Sequence, residues 1–247
     1  MATVMAADES MQLGRVVQRT FGVFGRHFAL FIGLALLLTG LPGVLFGLAS
    51  GAVPGTPQAV PFTTVAGTLI YFVSLLGGFV LQAAIVRAVV ADINSGRASF
   101  VDCLTTGLKV LLPVIGITIL YMLGVMVGML LLVVPGIIIL LMWSVAVPSY
   151  VEERAGVVAS LKRSRELTKG SRWKILGLYV VMSTIVILIQ MSVMAILGQA
   201  GTLAIIAAIL TSAVFGTVFA AMVASLYVEL RQVKHGATPD RLAEVFA

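Results

Sequence analysis

Residues 110–151 read VLLPVIGITILYMLGVMVGMLLLVVPGIIILLMWSVAVPSYV, 42 residues without an Asp, Glu, Lys or Arg. A helix needs roughly 20 apolar residues to cross the ~30 Å hydrocarbon layer of a membrane. The run is twice that length, so it holds two crossings. Val134-Pro135-Gly136, near its middle, supplies the breakers for a reversal, since proline removes an N–H and glycine tolerates a tight bend.

Two further charge-free runs lie on either side, 27–86 with 60 residues and 175–228 with 54. The same arithmetic gives two crossings each. The expected fold is therefore an all-α integral membrane protein of six transmembrane helices, arranged as three hairpins. The spans are expected at about 28–48, 64–90, 110–133, 136–151, 175–197 and 203–228, with a tail over 229–247. The fourth is short.

Composition agrees. Of 247 residues, 60% are hydrophobic and 11% charged. A soluble domain averages about 25% charged residues. A soluble enzyme, a disordered chain and a disulfide scaffold are excluded; Cys103 has no second cysteine to pair with. The apolar run begins only at Phe28, which argues against a cleavable signal peptide.

All 26 charged residues fall in four clusters, Asp8 to Arg26, Arg87 to Lys109, Glu152 to Lys174 and Glu229 to Glu244. Paired crossings place all four on one side. That side carries all 16 Lys and Arg, so both termini are expected in the cytoplasm. A net charge of +6 confined to one membrane face points to anionic headgroups, not nucleic acid.

The hairpins share an internal repeat. Leu104-Thr105-Thr106-Gly107 precedes the third span as Leu167-Thr168-Lys169-Gly170 precedes the fifth, with Phe24-Gly25-Arg26 before the first. Tyr150-Val151-Glu152-Glu153-Arg154 follows the fourth span as Tyr227-Val228-Glu229-Leu230-Arg231 follows the sixth, and Asp92 fills that place weakly after the second. Each unit reads as a cytoplasmic amphipathic interfacial helix leading into a hairpin.

At 100° per residue, Leu13, Val17, Phe21, Phe24 and Phe28 fall within about 80° of arc, with Arg15, Arg19 and Arg26 opposite. Ser99 and Asp102 resemble a capping box for the second copy. In the third, Glu166 is spaced to pair with Lys162, Arg163 and Lys169, and Gly170 is placed as a C-terminal cap. Trp173 and Lys174 mark the interface where the fifth span begins. Such helices lie in the headgroup plane with arginines towards anionic lipid. They are either anchors that set the tilt of the next span or a specific lipid or protein site. The candidate contacts are Arg15, Arg19, Arg26, Lys162, Arg163, Arg165, Lys169, Arg172 and Lys174.

The chemistry of most enzymes is missing. His27 and His235 with one distant cysteine make no zinc site, and neither a phosphate loop nor a Ser-His-Asp set occurs. No catalytic residue, metal or cofactor is expected. Glu152 and Glu153 are a compact acidic pair, read first as a solvated flank and second as the centre of a hydrolase. No Asp, Glu, Lys or Arg sits at mid-depth, which argues against an ion-coupled transporter. Gln82 and Gln190 are the most polar groups there; a helix-to-helix pair is the first reading, and a solute path with Ser183 and Thr184 the second.

The stretch from Val147 through Tyr150, Glu152, Ser164, Glu166 and Gly170 to Trp173, together with Pro135-Gly136 and Tyr227, Glu229 and Arg231, resembles the membrane domain of glycerophosphoryl diester phosphodiesterases. Stand-alone bacterial members also share a tail similar to Thr238–Phe246. The resemblance implies six helices in a bacterial inner membrane. In the fused enzymes hydrolysis belongs to a separate soluble barrel, so no catalytic residue is implied here. Ser164, on the apolar face of its helix, needs a partner such as a backbone carbonyl.

The expected function is non-enzymatic: a multi-pass protein that organises anionic membrane lipids or a protein partner, which includes a second copy of itself. The alternative is a transporter or channel for a small or lipid-like solute.

Overall fold

The computed structural model describes residues 11–49, 65–95, 99–197 and 202–236. They form helices and connecting turns, with no strand among the described residues. Six helices are long and apolar enough to cross a membrane.

A short helix, α1 (Leu13–Arg26), leads into the first span, built of α2 (Phe28–Ala35), a π-helical turn (Leu36–Gly40) and α3 (Leu41–Ala49). The second span is α4 (Val65–Ser95). Then follow α5 (Phe100–Lys109) and the third span, α6 (Leu111–Leu131). The fourth is α7 (Val133–Met142) with α8 (Ala146–Glu153). After α9 (Val157–Thr168) come the fifth span, α10 (Arg172–Leu197), and the sixth, α11 (Thr202–Gly236).

Four sequence expectations need correction. The chain turns between α6 and α7 at Leu132, which is extended (φ −166°, ψ 152°), not at Val134-Pro135-Gly136. Pro135 sits in the first turn of α7, where its missing N–H is no loss. Gly136 lies inside the helix, and the Gly128 and Gly136 backbones touch there. A side chain at Gly124 would overlap the Trp143 ring. The glycine spacing therefore packs α6 on α7.

Second, the fourth span is not short. It runs over 133–153, 21 residues, and is broken at Trp143-Ser144-Val145. Third, the first span is not a continuous α-helix but carries the π-turn. Fourth, α11 continues to Gly236, so Glu229 and Arg231 stand on a helix and not in a tail. The loop prolines, the third hairpin tip and Thr238–Phe246 lie outside the described residues.

The break in the fourth span is closed by α9. Helix ends leave carbonyls and N–H groups without partners. The Ser164 hydroxyl donates to the Met142 carbonyl at 2.9 Å and accepts the Val145 N–H at 3.2 Å. Thr168 also donates to the Met142 carbonyl, at 3.3 Å. Both side chains are fully buried. Gly170, with φ +93°, then turns the chain into α10.

The core lies towards the charged end of the bundle. Ala83, Ala84, Ile85, Ala88 and Val89 of α4 and Ala221, Ala224 and Leu226 of α11 are fully buried. Residues nearer the other end, such as Leu130 to Val134 and Ile196, are exposed. That pattern suits a protein whose outer helix faces meet lipid.

Candidate anion site at the charged face

The carboxylates that end the spans are not solvated flanks. Glu229 is fully buried, with Arg15 at 2.9 Å, Arg19 at 3.7 Å and the Gln12 N–H at 3.4 Å. Arg19 also donates to Gln232 at 3.1 Å. Asp92, 8% exposed, accepts from Arg26 Nε at 3.2 Å and lies 2.8 Å from His27 Nε2. The Asp92 hydrogen bond and charge hold the Arg26 guanidinium above its ordinary pKa.

The second acidic pair is tied in the same way. Glu153 accepts from Arg163 at 3.1 Å and from the Tyr227 hydroxyl at 2.9 Å. Glu152 faces Arg231 at 3.9 Å. Both carboxylates thus have cationic partners on other helices. Arg87 and Asp102 pair at 3.0 Å between α4 and α5.

Five of the candidate lipid contacts are thereby accounted for differently. Arg15, Arg19 and Arg26 of α1 face protein carboxylates, and Arg163 faces Glu153. Lys174 donates to the Met11 carbonyl at 3.1 Å. Trp173 is 85% exposed at the start of α10. Glu166 reaches only Arg163, at 3.9 Å, and neither Lys162 nor Lys169. Ser99 stands at the N-terminus of α5 without capping it through its side chain.

The remaining cations gather. Lys162, Arg165, Lys169 and Arg172, with Glu166, line a cavity of about 470 Å³. Spacings of three and four residues put the α9 members on one side of that helix. Among the described residues none of the four cations has an ion pair. The Arg172 Nε is buried without a hydrogen-bond partner. Arg172 also opens α10, a 26-residue helix whose first N–H groups carry the positive end of its dipole. Among the described residues Lys109, Arg154 and Lys234 have no ion pair either, but each stands singly at a different helix end.

Cys103 lies buried on α5, and burial pushes its thiol from 9.0 up to about 11, which leaves it protonated at neutral pH. Among the described residues, no three His, Cys, Asp or Glu side chains gather as a metal site requires.

At membrane depth, Gln190 donates to Ser212 at 3.3 Å and does not meet Gln82. Ser183 and Thr184 are exposed on α10, with Thr184 donating back to the Val180 carbonyl at 2.8 Å.

Sequence reasoning missed Asp92 and His27 as a pair. The signal was present: a lone carboxylate among Val89, Val90, Ala91 and Ile93 has to be buried and matched.

The chain is a multi-pass membrane protein with a charged face. No family model, curated protein or solved structure matches it.

Proposed function

We propose that this chain is a non-enzymatic protein of the bacterial inner membrane that holds an anionic phospholipid headgroup at its cytoplasmic face. Four cations around one cavity, with a single carboxylate among the described residues, repel one another, and a bound phosphate would relieve that repulsion. That excess of unmatched charge is the observation that carries the reading. Both termini lie in the cytoplasm by the charge asymmetry. The helical pairs α3–α4, α6–α7 and α10–α11 serve as three hairpins.

The short helices α1, α5 and α9 would lie in the headgroup plane. Leu13, Val17, Phe21, Phe28, Val101, Leu108, Val158 and Trp173 are exposed apolar groups on or beside them, which supports that placement. The motif likeness to the phosphodiesterase membrane domain supports the inner membrane as location. Glu152 and Glu153, matched by Arg231, Arg163 and Tyr227, then act as structural ties.

Native mass spectrometry of protein released from its membrane in mild detergent tests the proposal. The wild type is expected to retain phosphatidylglycerol or cardiolipin, and a variant with Lys162, Arg165, Lys169 and Arg172 all changed to Gln is expected to lose it. Equal retention by both, or a stoichiometric protein partner in place of lipid, would overturn it.

A further inference from the structure

Two cavities lie within the membrane-spanning part, and neither belongs to the charged face. The first, of about 570 Å³, is lined by residues including Thr39, Leu81, Ala208, Ser212 and Gly216. The second, of about 380 Å³, is lined by residues including Thr118, Tyr121, Trp143, Ser144 and Tyr179. They share Gln82 and Phe219 as walls.

Three observations converge on Gln82. Its side-chain amide has no hydrogen-bond partner among the described residues, although it stands near the middle of the second span. An amide left unpaired in an apolar setting is unfavourable, so a partner from outside the protein is expected.

Next, both irregular stretches of spanning backbone border these chambers. Thr39 belongs to the π-turn, and Trp143 and Ser144 to the break of the fourth span. Irregular backbone at membrane depth is tolerated where it is buried in protein or lines a cavity, and π-turns recur at functional sites. Third, among the described residues no Asp, Glu, Lys, Arg or His lines either chamber. A charged ligand would lose its hydration there with nothing to replace it.

We propose that the two chambers form one intramembrane binding site for an uncharged amphiphile. Its hydroxyl or carbonyl head pairs with the Gln82 amide, with Tyr121 on the wall of the same chamber. Its apolar chain lies along Leu81, Ala208, Ile209 and Ala213. No residue of this site belongs to the basic cavity, so the two proposals stand or fall separately.

Photolabelling of the full chain in phosphatidylcholine liposomes with a diazirine-bearing hexadecanol tests it. Adducts are expected on the peptides holding Gln82, Tyr121 and Phe219. Unlabelled hexadecanol should displace the probe, and hexadecanoate above its pKa should not. Gln82→Leu should lower labelling about fivefold, as the loss of one hydrogen bond does.

Gly216→Leu should lower it at least as far by filling the first chamber, because a side chain there meets open space. Gly78→Val, also directed into open space, serves as a second filling variant that keeps the test independent of one fold. Labelling spread over the exposed face of α10, labelling undiminished in the filled variants, or equal displacement by hexadecanoate would overturn the site.

Discussion

Helix α1 and the α9–α10 junction carry similar basic signatures and use them in opposite ways. In α1 the three arginines face Glu229 and Asp92, both buried at the ends of spans far away in sequence. At the junction, Lys162, Arg165, Lys169 and Arg172 line one cavity, with Glu166 the single carboxylate on its wall among the described residues. The first set holds the protein together. The second has no such partner among the described residues. A count of basic residues cannot tell these apart, because the deciding quantity is whether a carboxylate from another segment stands opposite.

The difference can be broken first at α1. Arg15→Ala with Arg19→Ala leaves Glu229 as a buried charge without a cation, a loss of about 3 kcal/mol. Melting in detergent should fall by about 10 °C. An unchanged midpoint would mean that Glu229 gains nothing from its arginines. Adding Glu229→Gln to that double variant should recover part of the loss.

A smaller effect is expected at Ser164, which ties α9 to the break of the fourth span. Ser164→Ala leaves the Val145 N–H without its partner and weakens the hold on the Met142 carbonyl. The destabilisation should be about 2 kcal/mol, or about 6 °C. Ser164→Cys, keeping a weak donor, should lie between the two. A melting point equal to wild type in Ser164→Ala would remove the tie.

The smallest change in stability is expected at the junction itself. Changing Lys162, Arg165, Lys169 and Arg172 to Gln removes charges that lack partners, so lipid-free melting should hold steady or rise by about 1 °C. A fall as large as that of the α1 variant would show that these cations support the fold.

Much of the architecture was legible because hydropathy acts over long runs. Three charge-free stretches gave six spans, and the described ends lie within a few residues of expectation, except where α4 and α11 continue through their charged residues. Local breaks were not legible. The π-turn over Leu36–Gly40 and the interruption at Trp143-Ser144-Val145 are too short to mark a hydropathy average taken over a whole span, and neither contains a charged residue. The reversal was placed at Pro135-Gly136 because proline and glycine are strong breakers. Proline is equally at home in a first helical turn, and the glycine served close packing instead.

For the basic face, the nine basic residues singled out in the sequence divide in the structure: Lys162, Arg165, Lys169 and Arg172 line one cavity, and the other five do not. Arg163 and Lys174 sit beside Arg165 and Arg172 in the chain, yet reach Glu153 and the Met11 carbonyl. Those partners lie 10 and 163 residues away, beyond any helical spacing rule.

The most direct test of the central claim is the rise in melting temperature on adding phosphatidylglycerol to lipid-depleted protein. A ligand that binds only the folded state must raise it. Wild type and the Arg15→Ala, Arg19→Ala variant are expected to gain similar increments from different starting points, while the variant with four glutamines gains none. An equal gain by the four-glutamine variant would contradict the assignment of an anion site to the α9–α10 junction.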